Sequence, residues 1–149
     1  MTQMPGAAQF NTTAPNPHAR LGPPMGMVFQ IAGSSSKVLI DAARQQELAT
    51  SADDCIAMAG QVGSQVKMRV GNSWLIASIR SMALDRENPT SVIADVDFLG
   101  EGDEEKLTGR IYRFRRGVTR YPTPGTELYP VSSMDMQQIY AADDRPHVQ

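Results

Sequence analysis

The sequence has few of the residues that most often carry chemistry. Its 149 residues include one cysteine, Cys55, and two histidines, His18 and His147. A lone cysteine cannot form a disulfide within the chain, and two distant histidines do not make a cluster of zinc ligands. The phosphate-binding loops GxGxxG and GxxxxGK followed by Ser or Thr do not occur in the sequence. We therefore expect no catalytic, metal or cofactor site in this chain, and we expect Cys55 to be a buried, inert thiol.

Long apolar runs and an excess of positive charge are also missing. No stretch approaches the roughly 18 consecutive apolar residues of a membrane-spanning helix. The first residues, Met1–Gly6, lack the basic and then apolar pattern of a secretion signal. The formal net charge is −2, so no overall basic field attracts nucleic acid or an anionic membrane. These features predict a cytoplasmic protein with no membrane partner.

The chain begins with a segment that is rich in proline and small polar residues. Residues 1–25 contain five prolines, and Phe10 and Leu21 are the main apolar side chains. Such a segment buries too little apolar surface to offset the entropy lost on ordering, so we predict a flexible arm. The alternative is that the arm becomes ordered against a neighbouring subunit.

From Met27 onward, short alternating apolar runs predict strands. The predicted strands are Met27–Ala32, Lys37–Asp41, Val66–Val70, Ser73–Met82, Val92–Phe98, Lys106–Phe114 and Glu127–Val131. In the third of these, Val66, Met68 and Val70 are expected on a buried face, and Lys67 and Arg69 on an exposed face. Because closure removes exposed sheet edges, the pattern predicts a mainly all-β fold, a small closed six- or seven-stranded β-barrel over residues 26–142.

Two helical segments interrupt the strand pattern. Asp41–Ala59 is rich in alanine and glutamine, and Ser51 and Asp54 within it have the spacing of a capping box. Near the end of the chain, Ser132 and Asp135 have the same spacing and predict a second short helix. On one side, this helix is expected to present Met136, Ile139 and Tyr140.

Asp95 and Asp97 are the one pair of carboxylates that could bind a metal or act as an acid and a base. They alternate with Val96 and Phe98 along a predicted strand, and no histidine or further carboxylate is close to them in sequence. Alternation of this kind indicates the solvent face of a strand. An enzyme built on the two aspartates would need a pocket that raises their pKa values.

Charge is concentrated in five arginines within eleven residues, which we call the arginine band: Arg110, Arg113, Arg115, Arg116 and Arg120. Tyr112, Phe114 and Tyr121 are interleaved with them. Just before the band, a predicted turn carries Glu101, Asp103, Glu104 and Glu105. Arginine suits bidentate phosphate contact and stacking, and it is also the favoured cation of interfaces. These nine charged residues form a candidate intersubunit or nucleic-acid surface, in which pairing with carboxylates, within the chain or across an interface, is the favoured alternative.

Three stretches of the chain together resemble a known domain. They are Val28–Asp41 with its Gly33-Ser34 turn, then Val62–Lys67 followed by Asp95–Glu101, and then the most specific run, Phe114–Val118, Tyr121-Pro122, Pro124-Gly125, Tyr129 and Met136–Tyr140. Arg145–Val148 adds a fourth, shorter stretch. Through these stretches, residues 27–149 resemble the N-terminal barrel, or HAS-barrel, of HerA-like hexameric DNA-translocating ATPases. That barrel is itself similar to the N-terminal barrel of rotary ATP synthase catalytic subunits.

The resemblance implies a non-catalytic assembly and partner-docking domain. Such barrels lie on top of a motor ring, stabilise the hexamer and bind an effector protein, often a NurA-type nuclease. ATP and Mg would bind in the missing motor domain, DNA would be contacted through the parent ring, and residues 143–149 would be a truncated linker toward that motor. The chain departs from the family at Phe29 and Gln30, which interrupt a small-residue strand, and at Ala42–Gln61, which is longer than a minimal link.

The sequence is also consistent with a second function. An autonomous small barrel could bind single-stranded nucleic acid, with Tyr112 and Phe114 as stacking platforms beside the arginines. Salt-sensitive binding by the isolated domain would distinguish it from the assembly domain.

Overall fold

Seven strands and three helices make up the described part of the chain, residues 22–33 and 35–144 of a computed structural model. The strands are β1 Gly26–Ala32, β2 Ser35–Asp41, β3 Gln65–Val70, β4 Ser73–Leu84, β5 Ser91–Glu104, β6 Ile111–Arg116 and β7 Glu127–Pro130. The helices are α1 Ala42–Leu48, α2 Asp54–Ala57 and α3 Ser133–Asp144. The predicted mainly β fold is confirmed.

Six of the strands close into an antiparallel barrel in the order β1-β2-β5-β4-β3-β7, and β7 pairs again with β1. β6 is an extra strand that pairs with β5 outside this ring. The long strand β5 makes this possible, because its first half pairs with β2 and its second half pairs with β6. The predicted closed barrel is therefore confirmed, with six strands in the ring and a seventh beside it.

The barrel interior is filled by the alternating apolar side chains that the sequence pattern indicates. Leu75, Ala77 and Ile79 of β4 share this core with Ala94 and Val96 of β5, and all five side chains are buried. Strand residues at every second position point to one side of a sheet, which places the intervening aspartates on the outer wall. The solvent-facing position predicted for Asp95 and Asp97 on β5 is thus confirmed.

A second apolar core lies outside the barrel, between its wall and helix α3. It is made by Trp74, Ile76, Ile111, Phe114, Tyr129, Val131, Met136 and Ile139. This core covers the face of β3 that the sequence pattern predicts to be exposed to solvent. The prediction is wrong for Lys67, which is only 2% exposed. The Lys67 ammonium donates to Asp135 of α3 at 2.7 Å and to the carbonyl of Gly109 at 3.0 Å.

Asp135 is the opposite partner in this buried ion pair, and it is completely buried. One carboxylate oxygen accepts from the Ile111 N–H and the other from the Ser132 N–H. The Ser132 hydroxyl in turn accepts from the Asp135 N–H, so the predicted capping box at the start of α3 is confirmed. Burial lowers the pKa of Lys67, and the nearby carboxylate of Asp135 opposes that shift.

The cap of α2 differs from the one predicted from Ser51 and Asp54. Asp53 caps the helix, because its carboxylate accepts from the N–H groups of Cys55 and Ile56. The same carboxylate accepts from the N–H and hydroxyl of Ser133, at the start of α3. A single side chain therefore joins the first turns of two helices, and burial of Asp53 is outweighed by these donors, so that its pKa lies below the ordinary value.

The barrel begins within the segment predicted to be an arm. Met25 is fully buried, donates its N–H to the Leu128 carbonyl and accepts from the Asp41 N–H. At the other end, α3 extends to Asp144, so residues 143–144 of the predicted linker are helical. Of the three residues expected on one side of α3, Met136 and Ile139 are buried and Tyr140 is exposed. Residues 1–21 and 145–149 lie outside the described part of the chain.

No helix among the described residues combines the length and the apolar character needed to cross a membrane, since even α3 has only 12 residues.

Candidate functional site

The arginine band follows strand β6 and the loop after it. Arg113 is the one non-glycine residue of the described chain with a positive φ, at 58°. It lies at a bulge where the pairing of β5 with β6 shifts between Glu101 and Asp103. A residue in this left-handed conformation at a bulge is normally glycine, because a Cβ there is strained.

The bulge determines on which face of the sheet each β6 side chain lies. Ile111 and Phe114 are three residues apart and would lie on opposite faces of a regular strand. With Arg113 inserted between them, both pack into the second core against α3. Gly102 of β5 allows this approach, because a Cβ there would come within 2.7 Å of Ile111 and 2.8 Å of the Tyr112 carbonyl. Tyr112 therefore lies on the other face, where it is 38% exposed.

Glu101 anchors the loop that follows β6. Its side chain is 7% exposed and accepts from Arg115 at 3.0 Å. The N–H and hydroxyl of Thr119 also donate to it, at 2.9 and 2.7 Å. Burial by itself would raise the pKa of Glu101, but the donors of Thr119 and the Arg115 guanidinium outweigh burial and hold the pKa below its ordinary value.

The stability that Glu101 contributes should be lost in acid. Because its folded pKa is lowered, the contribution is complete above the ordinary value of 4.5 and disappears as the pH falls through the folded value. We expect the free energy of unfolding to fall more steeply for the wild type than for Glu101→Gln between about pH 5 and pH 3, measured by urea denaturation. Glu47→Gln removes an exposed carboxylate that pairs with Arg44, and it should keep the wild-type pH dependence. Equal slopes for wild type and Glu101→Gln would contradict the prediction.

The acidic residues do not form the turn that the sequence predicts. β5 continues through Glu104, because its glycines allow Ile111 and Phe114 to pack closely, and the turn lies instead between Glu104 and β6. Arg69 of β3 donates twice to Glu104, at 2.6 and 3.1 Å. Glu105 accepts from the N–H and hydroxyl of Thr108 within the turn. The predicted strand from Lys106 accordingly begins only at Ile111.

Arg115 and Arg113 each approach a carboxylate of β5 across the β5–β6 hairpin. Arg115 pairs with Glu101, and Arg113 approaches Asp103 at 3.7 Å while 74% of its side chain stays exposed. Arg110 donates to the Thr108 hydroxyl. The Arg120 guanidinium lies over Gly71, where a Cβ would be 2.6 Å from it. The closest carboxylate contact of the band is thus with Glu101, which Arg115 and Thr119 already occupy.

A cavity of about 130 Å³ lies at the end of the band. Its polar lining includes Glu101, Arg115, Thr119 and Arg120, and Val70, Ser73 and Leu75 complete it. Tyr121, 48% exposed, follows directly and its ring lies 5.6 Å from that of Phe98. Two guanidinium groups therefore share this cavity, and one exposed aromatic ring follows them in the chain; arginine and aromatic side chains are the residues that bind phosphates and unstacked bases.

Asp95 and Asp97 lie on the outer wall of the barrel and are each paired with a cation. Lys37 donates to Asp95 at 2.7 Å, Ser81 donates to its other oxygen, and Arg80 donates to Asp97 at 3.0 Å. The hydrogen bonds from Lys37 and Ser81 lower the pKa of Asp95. A general acid would need a raised pKa, and that of Asp95 is lowered instead.

Cys55 and the histidines do not form a further site within the described residues. Cys55 is half-buried, not buried as predicted, and packs against the second core. His18 and His147 lie outside the described residues. No group of three or more His, Cys, Asp or Glu side chains that could hold a metal ion occurs among residues 22–33 and 35–144.

The sequence interpretation missed the Lys67–Asp135 contact, which ties α3 to the barrel, and the Asp53–Ser133 contact, which ties α2 to α3. These contacts join residues 68 and 80 positions apart, so spacing along the chain cannot indicate them. The one available signal was the capping box, which places Asp135 at a helix start where carboxylates are often satisfied by backbone N–H groups.

Comparison with models of known protein families and with curated proteins finds no match to this chain.

Proposed function

We propose that this chain is a non-catalytic assembly and docking domain, the N-terminal barrel of a HerA-like hexameric DNA-translocating ATPase in the cytoplasm. The proposal rests on the resemblance of three stretches to that family and on the closed barrel that those stretches build. They correspond to the β1–β2 hairpin, to β3 with part of β5, and to the run from β6 through β7 into α3. In the proposed setting, other copies and an effector such as a NurA-type nuclease contact the barrel, and the motor domain binds ATP, Mg and DNA.

One feature of the barrel wall carries the assembly part of the proposal. Met27, Leu39, Ile93 and Ala83 are direct cross-strand neighbours on β1, β2, β5 and β4, and they face outward. Met27 is 46% exposed, Ala83 is exposed, and the other two are half-buried. An apolar row that crosses four strands of an outer wall is costly to leave in water and is typical of a protein contact.

The neighbouring surface makes the row suitable for a specific contact. The next row along the strands is polar and holds the Lys37–Asp95 ion pair. On the other side, a shallow depression of about 290 Å³ is lined by Met27 and Leu39 together with Pro24, Thr90 and Glu127. In a ring of copies, this surface would contact a different surface on the next copy, as head-to-tail assembly requires.

The assembly proposal is tested by placing a charge in the row. We expect the chain to self-associate weakly, and Ile93→Glu to weaken that association by about tenfold or more, because a carboxylate would have to be buried without a partner. Sedimentation equilibrium over a concentration series measures the effect, with circular dichroism to verify the fold. Val62→Glu changes another exposed apolar residue and is the matched control. A wild type that stays monomeric, or an Ile93→Glu variant that associates equally well, would refute the assembly role of the row.

The family part of the proposal has a separate test. The reading frame that continues beyond the codon of Gln149 in the source gene should encode a motor with a GxxxxGK loop followed by Ser or Thr. A frame without such a motor would exclude the HerA-like interpretation and leave the result for the apolar row unaffected.

A further inference from the structure

Arg113 occupies a conformation that costs free energy and is suited to glycine. Its φ of 58° is strained for any residue with a Cβ, and bulges of this kind ordinarily use glycine. The contact that its side chain makes with Asp103 is 3.7 Å long and largely exposed, so it returns little stability. Strain that the fold does not need is a feature of functional positions. The position of Arg113 is therefore a candidate for a contact outside the chain.

The surroundings of Arg113 indicate what that partner is. Its guanidinium carbon lies 5.5 Å from the ring of the exposed Tyr112. Two residues farther along β6, Arg115 lines a cavity together with Arg120, and the exposed Tyr121 follows Arg120 in the chain. Two nearby carboxylates are already engaged, because Glu101 is buried beneath Arg115 and Thr119, and Glu104 is held by Arg69. The third, Asp103, approaches Arg113 only at 3.7 Å and leaves 74% of the arginine side chain exposed. The surface is thus cationic and aromatic although the whole chain is acidic.

The place of β6 in the sheet adds a second reason. β6 is the last strand of the sheet order, and among the described strands only β5 pairs with it. An extended ligand can therefore lie along its outer edge without displacing a described strand. The six residues of β6 span about 20 Å, a length that suits about four nucleotides, the lower end of the range that small nucleic-acid-binding barrels cover.

We infer that the β6 face binds single-stranded nucleic acid, with Arg113, Arg115 and Arg120 contacting backbone phosphates and Tyr112 and Tyr121 stacking on unpaired bases. Guanidinium groups bind phosphate oxygens in a bidentate manner, and exposed tyrosine rings stack on any base. Duplexes offer phosphates but no free base faces, so a single strand uses both parts of the surface. This inference does not depend on the family of the chain or on the apolar row.

The test measures binding of the full chain to a fluorescein-labelled oligothymidine of about twelve nucleotides, a length that exceeds the site, by fluorescence anisotropy. Arg113→Gly is the decisive variant, because it should weaken binding by about fivefold or more and also raise the thermal midpoint by removing the strain. A purely structural role for Arg113 predicts no such opposite effects. Tyr112→Ala should weaken binding by about fivefold or more through loss of stacking. Raising the salt should weaken wild-type binding.

Arg86→Gly is the matched control, because it removes the same charge from an exposed position in the turn between β4 and β5, at the opposite end of β5 from β6. It should bind the oligonucleotide as the wild type does. Failure of the wild type to bind at low salt would overturn the inference, as would equal losses for Arg113→Gly and Arg86→Gly. Equally tight binding of a duplex of the same length, insensitive to Tyr112→Ala, would overturn the single-strand assignment. If the wild type forms an oligomer, and Arg113→Gly dissociates it without changing oligonucleotide binding, the surface is a protein interface and the inference is wrong.

Discussion

Replacement of Asp135 by alanine is expected to lower the free energy of unfolding by about 3 to 5 kcal/mol. The substitution leaves the Lys67 ammonium buried opposite a methyl group, with only the Gly109 carbonyl as an acceptor. It also removes the acceptor for the N–H groups of Ile111 and Ser132. Urea denaturation measures the loss, and fluorescence of Trp74 reports it locally, because the Lys67 ammonium lies 4.5 Å from the center of its ring.

A double variant separates the charge from the packing. Asp135→Asn alone leaves the buried ammonium uncompensated, whereas Lys67→Met with Asp135→Asn removes both charges and keeps an acceptor for Ile111. We expect the double variant to be more stable than Asp135→Asn, since a neutral pair avoids the desolvation of a lone charge. Asp97→Asn breaks an exposed ion pair with Arg80 and should cost no more than about 1 kcal/mol. A double variant less stable than Asp135→Asn would contradict this account.

Val96→Asp is expected to cost about 4 kcal/mol or more, or to prevent folding at all. Val96 is fully buried in the barrel interior among apolar side chains, and no described cation lies in that core to pair with a carboxylate. The charge would have to be desolvated, or the side chain protonated at a large shift in its pKa. Thermal and urea unfolding followed by circular dichroism measure the change.

The adjacent residue provides the control for this experiment. Asp95→Asn changes the outer wall, where Lys37 and Ser81 contact the carboxylate and solvent reaches it. The loss of one exposed ion pair should lower the free energy of unfolding by no more than about 1 kcal/mol. A cost of several kcal/mol at Asp95 with little effect at Val96 would mean that the two faces of β5 are assigned the wrong way round.

Strand identity and the barrel interior were predictable because they depend on local alternation. Val66, Leu75 and Val96 lie inside the barrel as their period of two indicates. The second core was not predictable in this way, because helix α3 covers a face of β3 from a position some 65 residues farther along the chain. A lysine at an alternating polar position normally faces water. Lys67 is an exception, because the carboxylate of Asp135 compensates the burial of its ammonium group.

The arginine band was predictable as a concentration of charge, but its geometry was not. The bulge at Arg113 changes which side chains share a face, and no glycine marks it in the sequence. The acidic residues look like a turn because four of them occur within five positions, yet they are spread over two faces of β5 and the turn after it. Their partners include Arg69, which is 35 residues away. Pairings at that distance follow from topology, not from local pattern.

Closure of the barrel through β1 and β7 has a consequence for how the protein is made. Gly26 pairs with Leu128 about one hundred residues later, so the ring cannot close on the ribosome until nearly the whole domain has emerged. At common synthesis rates, that interval is about 5 to 20 s. During it, the edge of β1 that β7 occupies in the folded barrel has no partner from its own domain and is available to strands of other nascent chains. The risk of misassembly is therefore greatest before β7 is synthesised, and it ends when this short strand fills the gap.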